Sequence, residues 1–173
     1  MFTTRKLGLA LTVSVLLFAA LQVVPYGRDH TNPPDGNLAT FDAPGTEQLA
    51  KRACYDCHSN RTKWPWYSAI APISWRIQSH VQEGREKLNF TAFNAASKDM
   101  AEAAGEAGET ITKGEMPPAD YLLAHPEARL TAAEKRTLAA GLDKTFAAFA
   151  ENEGRQGPGG QAGEHEERGE DKD

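Results

Sequence analysis

The chain has 173 residues, 40% of them hydrophobic, and a formal net charge of −5, which is typical of one globular domain with short extensions. Residues 151–173 contain eight Asp and Glu residues and only three Lys and Arg residues, and so account for the whole net charge. The other 150 residues carry sixteen charges of each sign, which excludes the basic surface that nucleic-acid binding requires. Two cysteines are too few for a disulfide-based scaffold.

The N-terminal segment is apolar. Eighteen uncharged residues, from Leu7 to Val24, follow Arg5 and Lys6 and end before Pro25. As a helix they would span about 27 Å, close to the roughly 30 Å hydrocarbon core of a bilayer. A cleaved signal peptide is the alternative, but the small residues required before a cleavage point are poorly matched. We predict that residues 1–24 form a single-pass anchor in a bacterial inner membrane, with the rest of the chain exported to the periplasm.

Two polar segments flank the predicted domain. Residues 25–45 are rich in Pro, Gly, Asn and Asp, which indicates a linker rising from the membrane. Residues 151–173 have no large apolar side chain to bury, so we expect a disordered acidic tail in which His165 is solvated. The folded domain is therefore assigned to residues 46–150.

The periodicity of the domain is helical. Thr46 is predicted to cap a short helix that runs into Cys54. Apolar or small residues at i, i+4 spacing predict a second helix over 73–88, with Pro72 at its first position. The alanine-rich stretch from Ser97 to about Thr112 predicts a third.

A capping box of Thr131 and Glu134 predicts the start of a fourth helix. One apolar stripe follows along that helix: Leu138, Leu142, Phe146 and Phe149. No window alternates with period two for long enough to indicate a strand. We predict an all-α fold of four helices, joined by long loops that contain prolines.

The chemistry of the chain is concentrated in one pentapeptide, Cys54-Tyr55-Asp56-Cys57-His58. C-x-x-C-H is the attachment signature of a c-type haem. On a helical turn the thiols at i and i+3 lie on one face, where they can reach the two vinyl groups of a porphyrin. His58 can then bind the iron as an axial ligand. We predict one covalent haem c per chain, held by Cys54, Cys57 and His58.

Three other interpretations of the pentapeptide remain open. A zinc site would need two more ligands, and no second Cys or His pair follows. A thioredoxin-like dithiol needs a βαβ setting, which the helical periodicity does not provide. The third is a chance match, which the position of the motif beyond an export signal disfavours.

Low-spin haem iron needs a second axial ligand. The candidates are Met100, Met116, His80, His125 and His30, because Met1 lies at the far end of the anchor. Met116 is preferred because Gly114 precedes it, and two prolines stiffen the chain after it. Met100 is expected to pack inside a helix. A histidine ligand or an open sixth position are the alternatives.

Aromatic residues cluster after the motif, where Trp64, Trp66, Tyr67 and Trp75 fall within twelve residues. We expect them to form core around the haem, with indole, phenol or basic groups from Arg61 and Lys63 reaching the propionates. A backbone carbonyl of this loop is the expected acceptor for the second ring nitrogen of His58. The charged residues that follow are predicted to be solvated: Glu83, Arg85, Glu86 and Lys87.

Four segments together resemble a known family: CYDCHSNRTKWPWYSAIAPISW, HVQEGREKLNF, GEMPP and HPEARLTAAEK. They are similar to the bacterial haem-binding domain family of membrane-anchored monohaem c-type proteins, over roughly residues 41–142. The resemblance implies a cytochrome-c-like helical fold, covalent haem at Cys54 and Cys57, and ligation by His58. The MPP segment of the family corresponds to residues 116–118. Arg76 stands where the pattern has an apolar residue.

The sequence thus predicts a haem-binding c-type cytochrome that carries one electron at a time at the periplasmic face of the membrane, and not an enzyme. Its predicted partners are redox proteins and, through the N-terminal helix, the membrane, with no nucleic acid. A peroxidase-like haem enzyme and a haem-based redox or gas sensor are the alternatives. A low-spin or high-spin ferric spectrum separates them.

Overall fold

A computed structural model describes residues 4–155, and every regular element in that range is helical. The α-helices of the described residues are α1 (Thr4–Leu21), α2 (Pro44–Ala53), α3 (Tyr55–His58), α4 (Ile73–Lys87), α5 (Lys98–Lys113), α6 (Ala119–Ala124) and α7 (Ala132–Arg155). Two short 3-10 helices cover Trp66–Ala69 and Pro126–Ala128. The all-α prediction is confirmed. Helix α7 runs to Arg155, so the prediction that the disordered tail begins at residue 151 was wrong for residues 151–155. The predictions for Met1 and for residues 156–173, including His165, lie outside the described residues.

Helix α1 is exposed to solvent along its length and buries no residue against the domain. It is the one helix among residues 4–155 that is long and apolar enough to cross a membrane, and an N-terminal signal sequence would satisfy the same criteria. Two hydroxyl groups inside it donate to backbone carbonyls one turn earlier, so they do not remain unsatisfied in an apolar environment. From Leu7 onward the helix is therefore compatible with a bilayer, and its charged residues, Arg5 and Lys6, lie at its N-terminal end.

The core lies where α5 and α7 pack along each other, with α2 against α7. Leu138, Leu142 and Phe146 of the predicted stripe are all buried. Phe90, from the segment between α4 and α5, stacks on Phe146 and joins the core to the loop that follows α4. The amphipathic pattern of the last helix is therefore confirmed.

Helix starts differ in detail from the sequence predictions. Helix α2 begins at Pro44, so Thr46 is buried inside the helix and makes no cap. Pro72 precedes α4 as its N-cap residue and does not occupy the first turn. The capping box at α7 is confirmed, because the Thr131 amide donates to Glu134 Oε2 (2.8 Å) and the Glu134 amide donates to Thr131 Oγ1 (3.2 Å). Helices α3 and α6 are additional, and both are too short for periodicity to reveal.

The segment between α1 and α2 lies against the domain. Its beginning is fixed at Gly27, whose φ of +82° is left-handed and whose missing Cβ would stand 2.6 Å from the carbonyl carbon of Ser74. Farther along, the Gly36 amide donates to the Thr91 carbonyl at 2.8 Å. We call residues 27–39 the strap. It runs beside α4, from the N-terminal end of that helix to the segment beyond its C-terminal end.

Candidate functional site

A cavity of about 370 Å³ opens between α3, α4, α5 and the loop after α5. All three functional side chains of the pentapeptide, Cys54, Cys57 and His58, line it, and so does Met116 from the loop after α5. Much of the remaining wall is apolar: Ala53, Leu88, Phe90, Ala103, Ala107, Ile111 and Leu142. The fold therefore brings His58 and Met116, which are 58 positions apart in the chain, to the same cavity.

His58 is held at both its ring and its backbone. Its Nδ1–H donates to the Leu88 carbonyl at 3.0 Å, and its own carbonyl accepts from the Phe90 amide at 2.8 Å. The first bond fixes the tautomer and leaves Nε2 with a free lone pair. Burial lowers the pKa of the imidazole, which favours the neutral form that binds metals. The prediction that the acceptor lies in the loop after the motif was wrong, since the carbonyl belongs to the end of α4.

Behind His58 lies a small buried polar network. The Asn89 amide donates to Asn60 Oδ1 at 2.8 Å, and the Asn60 backbone amide donates to Thr91 Oγ1 at 2.7 Å. Asn89 Oδ1 in turn accepts from the backbone amide of Thr91 at 3.0 Å. Satisfied buried networks of this kind are rigid. This one fixes the segment that supplies the partner of the His58 ring.

The two cysteines stand on one tight turn. The Cys57 and His58 amides both donate to the Cys54 carbonyl, at 3.1 and 2.9 Å. Both thiols are free in this structure. Burial raises the pKa of Cys54 to about 12 and that of Cys57 to about 11. They are therefore neutral thiols turned toward the same cavity.

Helix α4 approaches this turn at Gly84. A Cβ there would stand 2.6 Å from the Cys57 carbonyl oxygen, closer than real Cβ contacts occur. Glycine is thus required by space rather than by backbone conformation at this position. The close approach places one face of α4 along the cavity: His80, Glu83, Gly84 and Lys87. Glu83 and Lys87 are exposed, as predicted, and they also line the cavity.

Met116 is presented by the end of α5. Gly114 ends the helix in the left-handed conformation (φ +79°), and the Glu115 and Met116 amides fold back onto the Thr110 carbonyl, at 3.0 and 3.4 Å. Met116 is 39% exposed and lines the same cavity as His58. His80 lines the same cavity, so these two remain as candidates for a second axial ligand.

The other candidates are occupied elsewhere. His125 is hydrogen-bonded through Nε2 to the Tyr67 hydroxyl (2.9 Å) and through Nδ1 to Glu127 (3.1 Å), and it does not line the cavity. His30 contacts the Ser68 carbonyl, in the 3-10 helix after the pentapeptide. Met100 is buried in the core, as its position in a helix predicted.

One polar contact at the cavity joins residues that sequence reasoning did not connect. The Tyr121 hydroxyl, on α6, donates to Asp56 Oδ2 at 2.8 Å, and the Lys63 amide donates to the other oxygen at 3.1 Å. Tyr121 and Asp56 both line the cavity. Burial, with the neighbouring carboxylate, raises the pKa of Tyr121. We call the Tyr121–Asp56 pair the latch, because it joins α6, which directly follows Met116–Pro118, to the pentapeptide.

The aromatic cluster is placed differently from the prediction. None of the three tryptophans lines the cavity, and Trp66 is 80% exposed. Trp64 donates to Asn32 of the strap at 3.3 Å. Arg61 is paired with Asp35 of the strap at 2.6 Å, so neither it nor the indoles face the cavity. The expectation of an aromatic core around the cavity was wrong.

Two arginines have polar partners, and the prediction that Arg85 is solvated was wrong. Arg85 is half-buried and donates to the Ser59 carbonyl at 2.9 Å and to Asn32 Oδ1 at 2.8 Å. It therefore joins α4, the strap and the chain just after His58. Arg76 forms an exposed ion pair with Asp120 of α6 at 2.7 Å. The charge at position 76 thus lies outside the core and is compatible with the packing of α4.

A family model described as a haem-binding domain matches residues 16–144, which is most of the chain and includes the whole cavity. The chain belongs to this haem-binding domain family. Haem is its cofactor, as the pentapeptide predicted. The chain matches none of the curated proteins and none of the solved structures with which it was compared.

The residues of the cavity fit the cofactor of the family. Two neutral thiols, an imidazole with its Nε2 free and a thioether converge on one largely apolar space, and these are the groups that hold haem in c-type proteins. A zinc site lacks support, because no group of three or more His, Cys, Asp or Glu residues suited to a metal ion occurs within residues 4–155.

Proposed function

We propose that this member of the haem-binding domain family is a membrane-tethered monohaem cytochrome c. Cys54 and Cys57 attach the haem as thioethers, His58 is one axial ligand and Met116 is the other. The observation that carries the proposal is the position of all four side chains on one cavity, with the His58 Nδ1–H bonded to the Leu88 carbonyl and Nε2 left free.

The bound haem supplies a one-electron Fe(III)/Fe(II) couple. The chain's own residues hold the side chains that would bind the haem iron in fixed positions. His58 cannot rotate without losing its bond to Leu88, and Met116 follows a helix end that is itself closed by hydrogen bonds. A thioether in the sixth position raises the potential relative to a second imidazole and excludes a substrate from the iron. This supports an electron carrier over an enzyme or a gas sensor.

The same proposal places the protein at the outer face of the bacterial inner membrane. Arg5 and Lys6 precede the apolar stretch of α1, and basic residues favour the cytoplasmic side. Helix α1 then remains as the anchor and the cavity faces the periplasm. Soluble or membrane-bound redox proteins are the partners that such a carrier would serve.

The attachment is tested with protein matured by a bacterial cytochrome c assembly system. On a denaturing gel stained for haem, the wild-type chain should retain colour, and a double variant Cys54→Ala/Cys57→Ala should lose it. If the correctly exported wild-type chain is colourless, the cytochrome c assignment is wrong. N-terminal sequencing of the same band shows whether α1 is retained.

The second ligand is tested by absorption spectroscopy of the ferric protein. The wild type should be low-spin and show the far-red charge-transfer band of a thioether bound to iron. Met116→Ala should lose that band and lower the reduction potential, whereas His80→Ala, at the other candidate on the cavity wall, should leave both unchanged. If only His80→Ala changes the spectrum, then His80 is the ligand. A high-spin wild-type spectrum would favour the enzyme.

A further inference from the structure

The segment after the pentapeptide has a composition that the haem site does not explain. Residues 64–75, WPWYSAIAPISW, carry no charge and are bounded by Lys63 and Arg76. Trp66 is 80% exposed and Ile73 is 51% exposed, and Ala69 and Pro72 between them are also exposed. We call these four side chains the apolar ledge. Exposed apolar surface bordered by charged residues is typical of sites that contact a membrane or another protein.

The ledge is fastened to the end of α1. The side-chain amide of Gln22 donates to the Ala71 carbonyl at 2.9 Å, and its oxygen accepts from the Ala71 amide at 3.0 Å. Ala71 lies between Ala69 and Pro72. These two hydrogen bonds hold the backbone at Ala71 beside Gln22, the residue that directly follows α1. Arg28, at the start of the strap, donates to the Gln22 carbonyl and reinforces the junction.

The apolar stretch Leu7–Val24 fixes the depth of Gln22 in the membrane. It spans about 27 Å, nearly the whole hydrocarbon core of about 30 Å, so Gln22, two residues before its end, lies at the boundary of the headgroup layer. That layer is roughly 5–7 Å thick on each side of the bilayer. Ile73 is two residues from Ala71 and hence within about 7 Å of it, even if the chain is fully extended. Ala69 and Pro72 also lie within two residues of Ala71, so this end of the ledge lies at the depth of the lipid headgroups.

The side chains suit that depth. Tryptophan is enriched at membrane interfaces because its ring is apolar and its N–H is polar, and the charged residues that bound the segment favour the aqueous edge. We propose that the apolar ledge is a membrane-contact surface, inserted among the lipid headgroups beside α1. The proposal rests on the anchor role of α1 given above. It means that the domain is held against the membrane at two points and is not free to swing on a linker.

Contact of both α1 and the ledge with the membrane fixes the position of the haem site relative to the bilayer. The cavity is lined by α4 from His80 to Lys87, which begins about 10 Å along the helix axis from Ile73 and ends about 21 Å from it. The ligands are therefore positioned clear of the ledge, while the domain keeps one orientation. An electron carrier held in this way presents the same edge of its cavity at every encounter.

The test uses the full-length, haem-loaded chain in phosphatidylcholine nanodiscs. The photoreactive residue benzoylphenylalanine is placed singly at Trp66, Ile73, Val23 or Leu38, and lipid adducts are identified by mass spectrometry after irradiation. Leu38 is the matched control, since it is 52% exposed and lies on the strap next to Ala39, which bonds to Phe90 beyond the far end of α4. Val23, 80% exposed and adjacent to Gln22, reports the anchor itself.

We expect lipid adducts at Val23, Trp66 and Ile73, and their absence at Leu38. Haem staining of each variant shows that it is folded. Adducts at Val23 but not at Trp66 and Ile73 would overturn the ledge proposal and leave the anchor intact. No adduct at Val23 would remove the anchor and the ledge together. Equal labelling at Leu38, or adducts joining two copies of the chain in place of lipid, would also overturn it.

Discussion

Replacing Tyr121 with phenylalanine removes one hydroxyl group and leaves the ring that packs beside the cavity. The hydroxyl donates to a carboxylate, Asp56, at 2.8 Å, and the pair joins positions 65 apart in the chain. A hydrogen bond to a charged group contributes about 1.5–3 kcal/mol to the free energy of unfolding. We expect Tyr121→Phe to lower the free energy of unfolding by that amount.

Loss of the Tyr121–Asp56 hydrogen bond should also weaken the positioning of Met116, the proposed second ligand. Met116–Pro118 leads directly into α6, and the latch holds α6 to the pentapeptide. If all of the energy of the latch keeps the loop closed, losing it makes the open form roughly 10- to 150-fold more populated, since about 1.4 kcal/mol is a factor of ten. Added imidazole binds iron only when the methionine has left. Its apparent affinity should rise by up to the same factor.

Two measurements follow: urea unfolding and imidazole titration of the ferric, haem-loaded protein. Tyr26→Phe is the matched control, because the Tyr26 hydroxyl makes only a long, exposed bond of 3.4 Å to Gln82. Asp56→Asn should give a smaller effect than Tyr121→Phe, since a neutral acceptor remains. The reasoning is refuted if Tyr121→Phe matches Tyr26→Phe in both measurements while the wild-type spectrum shows the thioether band.

Two further predictions concern packing and pH. Gly84→Ala puts a Cβ 2.6 Å from the Cys57 carbonyl oxygen, so it should cost about 1–3 kcal/mol and reduce haem per chain on stained gels. Gly105→Ala, with no atom within 4 Å of its new Cβ, should stabilise helix α5 by about 0.5–1 kcal/mol. Equal changes in stability for the two variants would contradict the close contact between Gly84 and Cys57. Hydrogen bonds from the capping-box amide and Arg52 hold the pKa of Glu134 at about 2, below its usual 4.5, so its stabilising contribution is complete above pH 4.5 and is lost as the pH falls toward 2. Glu134→Gln should flatten that part of an acid-unfolding curve followed by circular dichroism, and an unchanged curve would exclude the charge as the cause.

Local features of the chain were predictable because their causes are local. The apolar run that forms α1, the i, i+4 pattern of α4 and the Thr131–Glu134 capping box each depend on residues within a few positions of one another. The pentapeptide is equally local, so its haem chemistry could be inferred without any knowledge of the fold. Family membership, over residues 16–144, is consistent with those patterns.

The contacts around the site could not be inferred in this way. His58 takes its partner from Leu88, thirty positions away, and Tyr121 reaches Asp56 across 65 positions. No periodicity records such a pairing, since any of several carbonyl or hydroxyl groups would satisfy the same chemistry.

The exposure of Trp66 shows the same division between sequence and tertiary structure. A tryptophan beside a cofactor motif is expected in the core, but its burial depends on which surfaces the other helices cover. No helix among residues 4–155 covers Trp66. The sequence therefore determined which groups can hold haem and which segments are helical. Tertiary structure decided which groups meet, because contacts between distant residues depend on how whole helices pack and not on the neighbours of each residue along the chain.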